Sequence, residues 1–347
     1  MVKIDYIIVG LGLAGMAFAE ELISANKTFL VFEDDSQTSS LVAGGVYNPV
    51  ILKRFTAVWN AKEQLEIALP FYRNLEEKFN QKFDQKFVIR KAFKSIEEQN
   101  NWFLASDKPL LGEFLNPNIK REKVAGVLGD FGFGEVYEAG RIDTKKLVNA
   151  YREFLKSENK ILFEKFLYQE IKFQEGSIKY QQIIANKIVF CEGFGLKENP
   201  FFNYLPLNEA KGELITIEAP DLNIDFLLKS TLFVLPLGDH LYKVGATFNW
   251  KDKTSKPSEE GKLELVDKLK KVINVPYKII EHSAGIRPTV KDRRPLVGVH
   301  KEHKQLAVLN GLGTRGVMIA PMVAKQLFNC LEQEEMLEQE INIERFG

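Results

Sequence analysis

The residues with the clearest chemistry are three glycines. Gly10-Leu11-Gly12-Leu13-Ala14-Gly15 follows directly on the β-branched run IDYIIV at 4–9. In such a turn the first glycine permits the tight bend. The second lets backbone approach a pyrophosphate, and the third lets helix lie close against strand. The helix that follows, read as 13–25, presents the Leu13 and Ala14 amides and a positive dipole end to phosphate. A second strand, TFLVFE at 28–33, ends in Glu33, 23 residues after Gly10. A carboxylate there accepts hydrogen bonds from a ribose. Strand, glycine turn, helix, strand and acid together predict an adenine dinucleotide site, and an acid rather than a base at 33 argues against a 2′-phosphate.

A second group lies toward the C-terminus. Arg287 stands between Ile286 and Pro288. Proline restricts the residue before it to extended geometry, so this side chain has a fixed direction. Its guanidinium suits a planar anion, to which it gives two parallel hydrogen bonds. The competing role is an ion pair with an acid such as Asp292. Further on, NGLGTRGVMIAP at 310–321 reads as a glycine turn opening a helix at 315–330. Gly313, Thr314, Arg315, Gly316 and Val317 then aim amide donors at negative charge. Lys243, in YKVGAT at 242–247, shares one face of a strand with Leu241, Gly245 and Thr247 by period two. It either faces a site or is a solvated edge lysine that discourages aggregation.

No metal site is expected. Cys191 and Cys330 lie 139 positions apart, and His240, His282, His300 and His303 show no ligand spacing with carboxylates. No disulfide framework follows either, and a reducing compartment is the natural reading.

These residues need elements to hold them. Helical spacing predicts a long amphipathic helix near 61–80, through Leu65, Leu69, Tyr72, Leu75 and Phe79. Ser95 and Glu98 form a capping box ahead of a short helix, and Asp143 caps another carrying Leu147, Tyr151 and Leu155. FVLPLGDHLYKVGAT is a hairpin about Gly238-Asp239-His240, a charged helix spans about 258–272, and Leu306–Leu309 is a strand. The two glycine turns sit at opposite ends of the chain. If they build one domain, the middle is inserted into it.

Composition sets the outer bounds. The chain has 347 residues, 45% apolar and 27% charged, which is ordinary for a globular protein of about two domains. Lys plus Arg equals Asp plus Glu at 47 each, so net charge gives no reason to expect nucleic acid or an anionic membrane. No apolar stretch reaches the roughly 18 residues of a membrane span. The N-terminus carries Asp5 before its apolar run and Glu20-Glu21 where a signal peptide has small residues. It reads as mature protein, and the expected location is the cytoplasm.

AGIRPTVKDRRPLVG at 284–298, followed by NGLGTRGVMIAP, resembles the signature of FAD-dependent oxidoreductases of the D-amino-acid oxidase superfamily. SSLVAGG at 39–45, GRID at 140–143, IVFCEG at 188–193, KGELITIE at 211–218 and YKVGAT fall in the same order as in that family. One departure is Cys191-Glu192, where the family has small residues before the glycine. The resemblance implies an α/β (α+β) fold. A Rossmann-like FAD-binding domain, 1–64, 138–212 and 284–347, would carry an inserted mixed or antiparallel sheet domain, 65–137 and 213–283. It implies FAD as cofactor, held by the first turn, Glu33, Ser39, Ser40, Ala43, Gly44, Gly45, Gly193 and residues 313–317.

The same resemblance implies oxidation of a carbon–nitrogen bond in a small amine or amino acid, with transfer to flavin N5. Arg287 would hold the substrate carboxylate. Arg315 would reach the same pocket or a flavin carbonyl, and Lys243 would lie over the flavin and favour oxygen as electron acceptor. Two alternatives stand beside this. One is processing of a carboxymethylaminomethyl-uridine in tRNA, because the C-terminal run also resembles the flavin domain of the bifunctional enzymes of that pathway. The other is a scaffold that retains FAD without turnover. Substrate identity, acceptor and oligomeric state are left open.

Overall fold

The N-terminal apolar run folds as β1 (Val2–Val9), whose last four residues are buried. A computed structural model describes residues 1–347. After β1 come α1 (Leu13–Ser24), β2 (Phe29–Phe32) and α2 (Ser39–Val42). Then follow β3 (Val46–Tyr47), a ribbon of β4 (Val50–Ile51) and β5 (Thr56–Ala57), and α3 (Ala61–Phe79). The next stretch holds β6 (Asp84–Ala92), α4 (Ile96–Ser106), β7 (Phe133–Ile142) and α5 (Thr144–Ser157). Four strands come next: β8 (Ile161–Leu162), β9 (Ile171–Gln174), β10 (Ser177–Tyr180) and β11 (Ile183–Phe190). β12 (Leu207–Glu218), β13 (Leu227–Lys229), β14 (Phe233–Gly238) and β15 (Leu241–Gly245) lead into α6 (Glu259–Leu269). The chain closes with β16 (Lys278–Val290), β17 (Leu296–Val299), β18 (Leu306–Asn310) and α7 (Gly316–Gln333).

Two large sheets result. The first runs β17-β18-β11-β1-β2-β8, with β9 and β10 continuing from β11. β1 is parallel to β2 and β11, and β11 is parallel to β18. Strands buried on both faces must be apolar throughout, as YIIV, IVF and LAVL are. β1 and β18 flank β11 and run parallel to it, so both glycine turns leave the same carboxyl end of one sheet. Their helices, α1 and α7, pack on each other. The second sheet runs β16-β12-β15-β14-β13-β6-β7-β3 and is antiparallel except where β13 meets β6. α6 covers its outer face through Leu265 and Leu269.

The cap signals behave as expected. Ser95 Oγ accepts from the Glu98 amide at 3.2 Å, and Asp143 Oδ1 accepts from the Lys146 amide at 3.1 Å. The expected domain boundaries can be placed on the elements. Those after 137, 212 and 283 each fall inside a strand of the second sheet, namely β7, β12 and β16. Residues 65–79, assigned to the sheet domain, lie as α3 against α7, where Tyr72 Oη donates to the Val317 carbonyl at 2.8 Å. No helix is long and apolar enough to cross a membrane.

Candidate functional site

One cavity of about 620 Å³ lies between the two sheets. Its floor is the first glycine turn. Gly10 has φ +93°, and a Cβ there would lie 2.7 Å from the Cys191 carbonyl oxygen. A Cβ on Gly15 would collide with the Gly10 carbonyl oxygen. Both positions therefore need glycine for the fold itself. Gly12 differs, since a Cβ would point at Ser40 Oγ, 3.1 Å away, and occupy cavity space. The Leu13 amide at the start of α1 donates to Ser40 Oγ at 3.3 Å, and no acid occupies the first turn of α1. That helix end is free to receive an anion.

Glu33 lines the cavity at the end of β2 and is 6% exposed. Its Oε2 accepts from the Leu11 amide at 2.5 Å, and its Oε1 accepts from the Asp35 amide at 3.2 Å and from Arg152 Nη2 at 3.1 Å. Burial raises its pKa against the pull of Leu11 and Arg152. Arg152, on α5, also holds Asp35 at 2.8 Å. It belongs to no motif, and nothing in its spacing marks it.

The wall opposite α1 comes from α2, the following loop and the C-terminal turn. Ser39, Ser40, Ala43, Gly44 and Gly45 line the cavity, and Ser39 Oγ donates to the Ile286 carbonyl, tying α2 to β16. Gly313, Thr314, Gly316 and Val317 line it as well, at the start of α7, whose first turn also lacks acids. The N-termini of α1 and α7 thus converge on one space. Asn310, at the end of β18, braces the wall by donating to the Gly193 carbonyl at 2.9 Å.

Glu192 fills the place of the family's small residue. It is 7% exposed and accepts from Tyr168 Oη at 2.5 Å and Asn199 Nδ2 at 2.7 Å. Burial pushes its carboxyl up to about 7, and the nearby Asp34 and Glu198 carboxylates add to the rise. The two hydrogen bonds oppose it without cancelling it.

The second sheet roofs the cavity. Arg287 on β16 reaches across β12 and lies on Gly212, where any Cβ would strike its guanidinium. Nη1 donates to the Thr247 carbonyl at 3.3 Å, and Cζ stands 4.3 Å from the centre of the Phe248 ring. No carboxylate pairs with it, and burial pushes its pKa down to about 10. Asp292, the competing partner, binds Arg345 instead at 2.9 Å.

Two predicted side chains stand outside this lining. The Arg315 side chain forms no hydrogen bond or ion pair, is not among the residues that line the cavity, and has Arg293 as its nearest charge. Lys243 is on the cavity-facing side of β15, but its register partners are Thr216 and Leu235. The cavity begins three residues further on, at Ala246. Lys243 looks instead toward Glu281, Arg141 and Asp143, and burial lowers its pKa.

The family model described as "FAD dependent oxidoreductase" matches residues 5–329. Among curated relatives, the tRNA 5-methylaminomethyl-2-thiouridine biosynthesis bifunctional protein of Marinobacter nauticus is 27% identical over 166 residues, 43% of this chain and 26% of that protein. Glycine oxidase of Bacillus subtilis is 26% identical over 159 residues, 44% of this chain and 42% of that protein. The match therefore spans less than half the length of either relative. Among solved structures, glycine oxidase from Geobacillus kaustophilus superposes with a TM-score of 0.80 at 17% identity, covering 97% of this chain and 96% of that one. Iminodiacetate oxidase from Chelativorans sp. gives a TM-score of 0.78 at 16% identity, covering 99% of this chain and 98% of that one. At these identities the superpositions show the fold.

Proposed function

The chain belongs to the FAD-dependent oxidoreductase family, and from that premise we propose that it oxidises the carbon–nitrogen bond of a small amine or amino acid bearing a carboxylate. It is an enzyme, and its cofactor is FAD. The residues present fit that group. The α1 turn is closed to any Cβ at Gly10 and Gly15 yet open in front of Gly12, as a pyrophosphate requires. Glu33 retains lone pairs for ribose hydroxyls beside its bonds to Leu11, Asp35 and Arg152. The α7 N-terminus supplies amides and a dipole end for negative charge at the ring.

When bound, FAD supplies the two-electron acceptor for the α-hydrogen of the neutral amine, and the resulting imine is released to water. The protein's part is to hold and orient. The observation that carries this proposal is Arg287, a half-buried guanidinium facing the cavity with no acid of its own. A half-buried cation without a partner is costly, and a substrate carboxylate supplies the partner. Gly212 and Phe248 sandwich the guanidinium, so its fork has one direction in which to bind. The Thr247 carbonyl takes one of its N–H groups and leaves the others for the ligand.

The test is the visible spectrum of the holoprotein during anaerobic titration. Glycine, sarcosine, D-alanine, D-proline and free carboxymethylaminomethyl-uridine form the panel. Bleaching by a carboxylate-bearing amine, abolished in Arg287→Met, is the expected result. A flavin that no member of the panel reduces would refute the proposal.

A further inference from the structure

Arg287 is not the only cation of the roof without a partner. Lys229 closes β13 and lines the same cavity, next to Thr231 and Phe233. It sits opposite Phe233 on β14, so the two side chains share the cavity face. The Phe233 ring in turn lies by Gly44 of the opposite wall, where a Cβ would be 3.5 Å from its Cζ. No carboxylate or hydrogen-bond acceptor of the protein reaches Lys229. The charges around it are Lys91 on β6, Lys94 beyond that strand and Lys268 on α6. Of these, Lys91 is satisfied by Glu98 at 2.9 Å and Lys268 by Glu264 at 2.5 Å.

The strand order separates the two unpaired cations. Arg287 lies over β12, and Lys229 stands on β13, with β15 and β14 between them. Three strand spacings put the guanidinium, over β12, about 14 Å from the β13 backbone, before Lys229 leans inward. The roof between them is apolar, formed by Leu214, Phe233 and Ala246. The phosphates of a dinucleotide do not serve Lys229, because their place is the α1 turn on the other sheet. A half-buried ammonium among other cations is costly unless a ligand brings an anion or it gives up its proton. Its surroundings push its pKa down to about 8, so it still carries a proton through neutral pH and stands ready for an anion.

We infer that Lys229 is a second anion-binding subsite, and that the preferred substrate is an amine carrying two anionic groups. Its carboxylate lies on Arg287, and a carboxylate or phosphate at its far end lies on Lys229. This rests on the proposed amine oxidation for the word substrate, but the binding claim can be tested without turnover. Unreactive acids are titrated into the oxidised holoenzyme, and affinity is read from the perturbed flavin spectrum. The probes are hexanoate, adipate and a phosphonate of the same length, 5-phosphonopentanoate.

Adipate or the phosphonate should bind at least about tenfold more tightly than hexanoate, as one charge-assisted hydrogen bond would provide. Whichever diacid gains more identifies the far group. Lys229→Met should remove the diacid advantage and leave hexanoate and FAD affinities within about twofold. Lys229→Arg should keep it. Equal binding of mono- and diacids by the parent, or no binding of either, overturns the subsite. So does a Lys229→Met variant that loses FAD, weakens all probes alike, or loses one limb of the kcat pH profile at unchanged diacid affinity; the last result marks a proton-transfer base. If no amine reduces the flavin but the diacid preference stands, the reaction fails and the subsite survives.

Discussion

Replacing Glu192 by glutamine removes one ionisable group from the cofactor cavity at nearly constant shape. In the folded chain this carboxyl is buried and pushed up to about 7, whereas its ordinary value is 4.5. A folded-state value raised above the unfolded one means that the native state holds the proton more tightly. The associated stability is therefore fully present below about pH 4.5 and is lost as pH rises through about 7. The gap is worth about 3 kcal/mol over the whole window, of which about 2 kcal/mol falls between pH 5.5 and 8.5. The groups that face Glu192 are the Tyr168 hydroxyl, the Asn199 amide and the Asp34 and Glu198 carboxylates, so no cation offsets the burial. The assay is denaturant unfolding of FAD-stripped protein, parent and Glu192→Gln, at both pH values. The parent should lose about 2 kcal/mol more than the variant on going to pH 8.5. Parallel profiles would mean that Glu192 is ionised throughout and would refute the reasoning.

Four other substitutions probe the rest of the site. Gly12→Val should yield a folded, colourless protein, because its side chain meets only Ser40 and the phosphate space. Gly15→Val should fail to fold, because its Cβ strikes the Gly10 carbonyl; circular dichroism and the flavin spectrum separate the two cases. Arg287→Lys should raise KM for a carboxylate-bearing amine by roughly 1–3 kcal/mol in binding while FAD affinity holds, since an ammonium cannot reproduce the guanidinium fork. Unchanged kinetics would remove Arg287 from the substrate. Lys243→Met should leave the reoxidation rate of the flavin unaltered in stopped flow, because Lys243 faces Glu281 and Arg141 rather than the cavity; slowed reoxidation would restore it to the flavin.

The elements that frame the proposed cofactor site were legible in the sequence because a glycine turn opening a helix is a local feature. Strand, glycine turn, helix and acid lie between residues 4 and 33, and their spacing carries the geometry with it. The same holds for the turn into α7, and for Arg287, whose extended backbone follows from Pro288. The roof was not legible. Period two places Lys243 on the correct face of β15, but how far along the strand a cavity begins depends on the neighbours. Lys229 shows the same limit from the other side, an ordinary lysine in LLKST until β13 lies between β6 and β14. Arg152 and Glu192 likewise gain their roles from partners far away in sequence or outside any motif. The expected domain boundaries fall inside β7, β12 and β16, because composition marks a segment as strand without marking its sheet. A strand's hydrogen-bond partners are supplied by distant chain, and only the folded register decides which side chains meet.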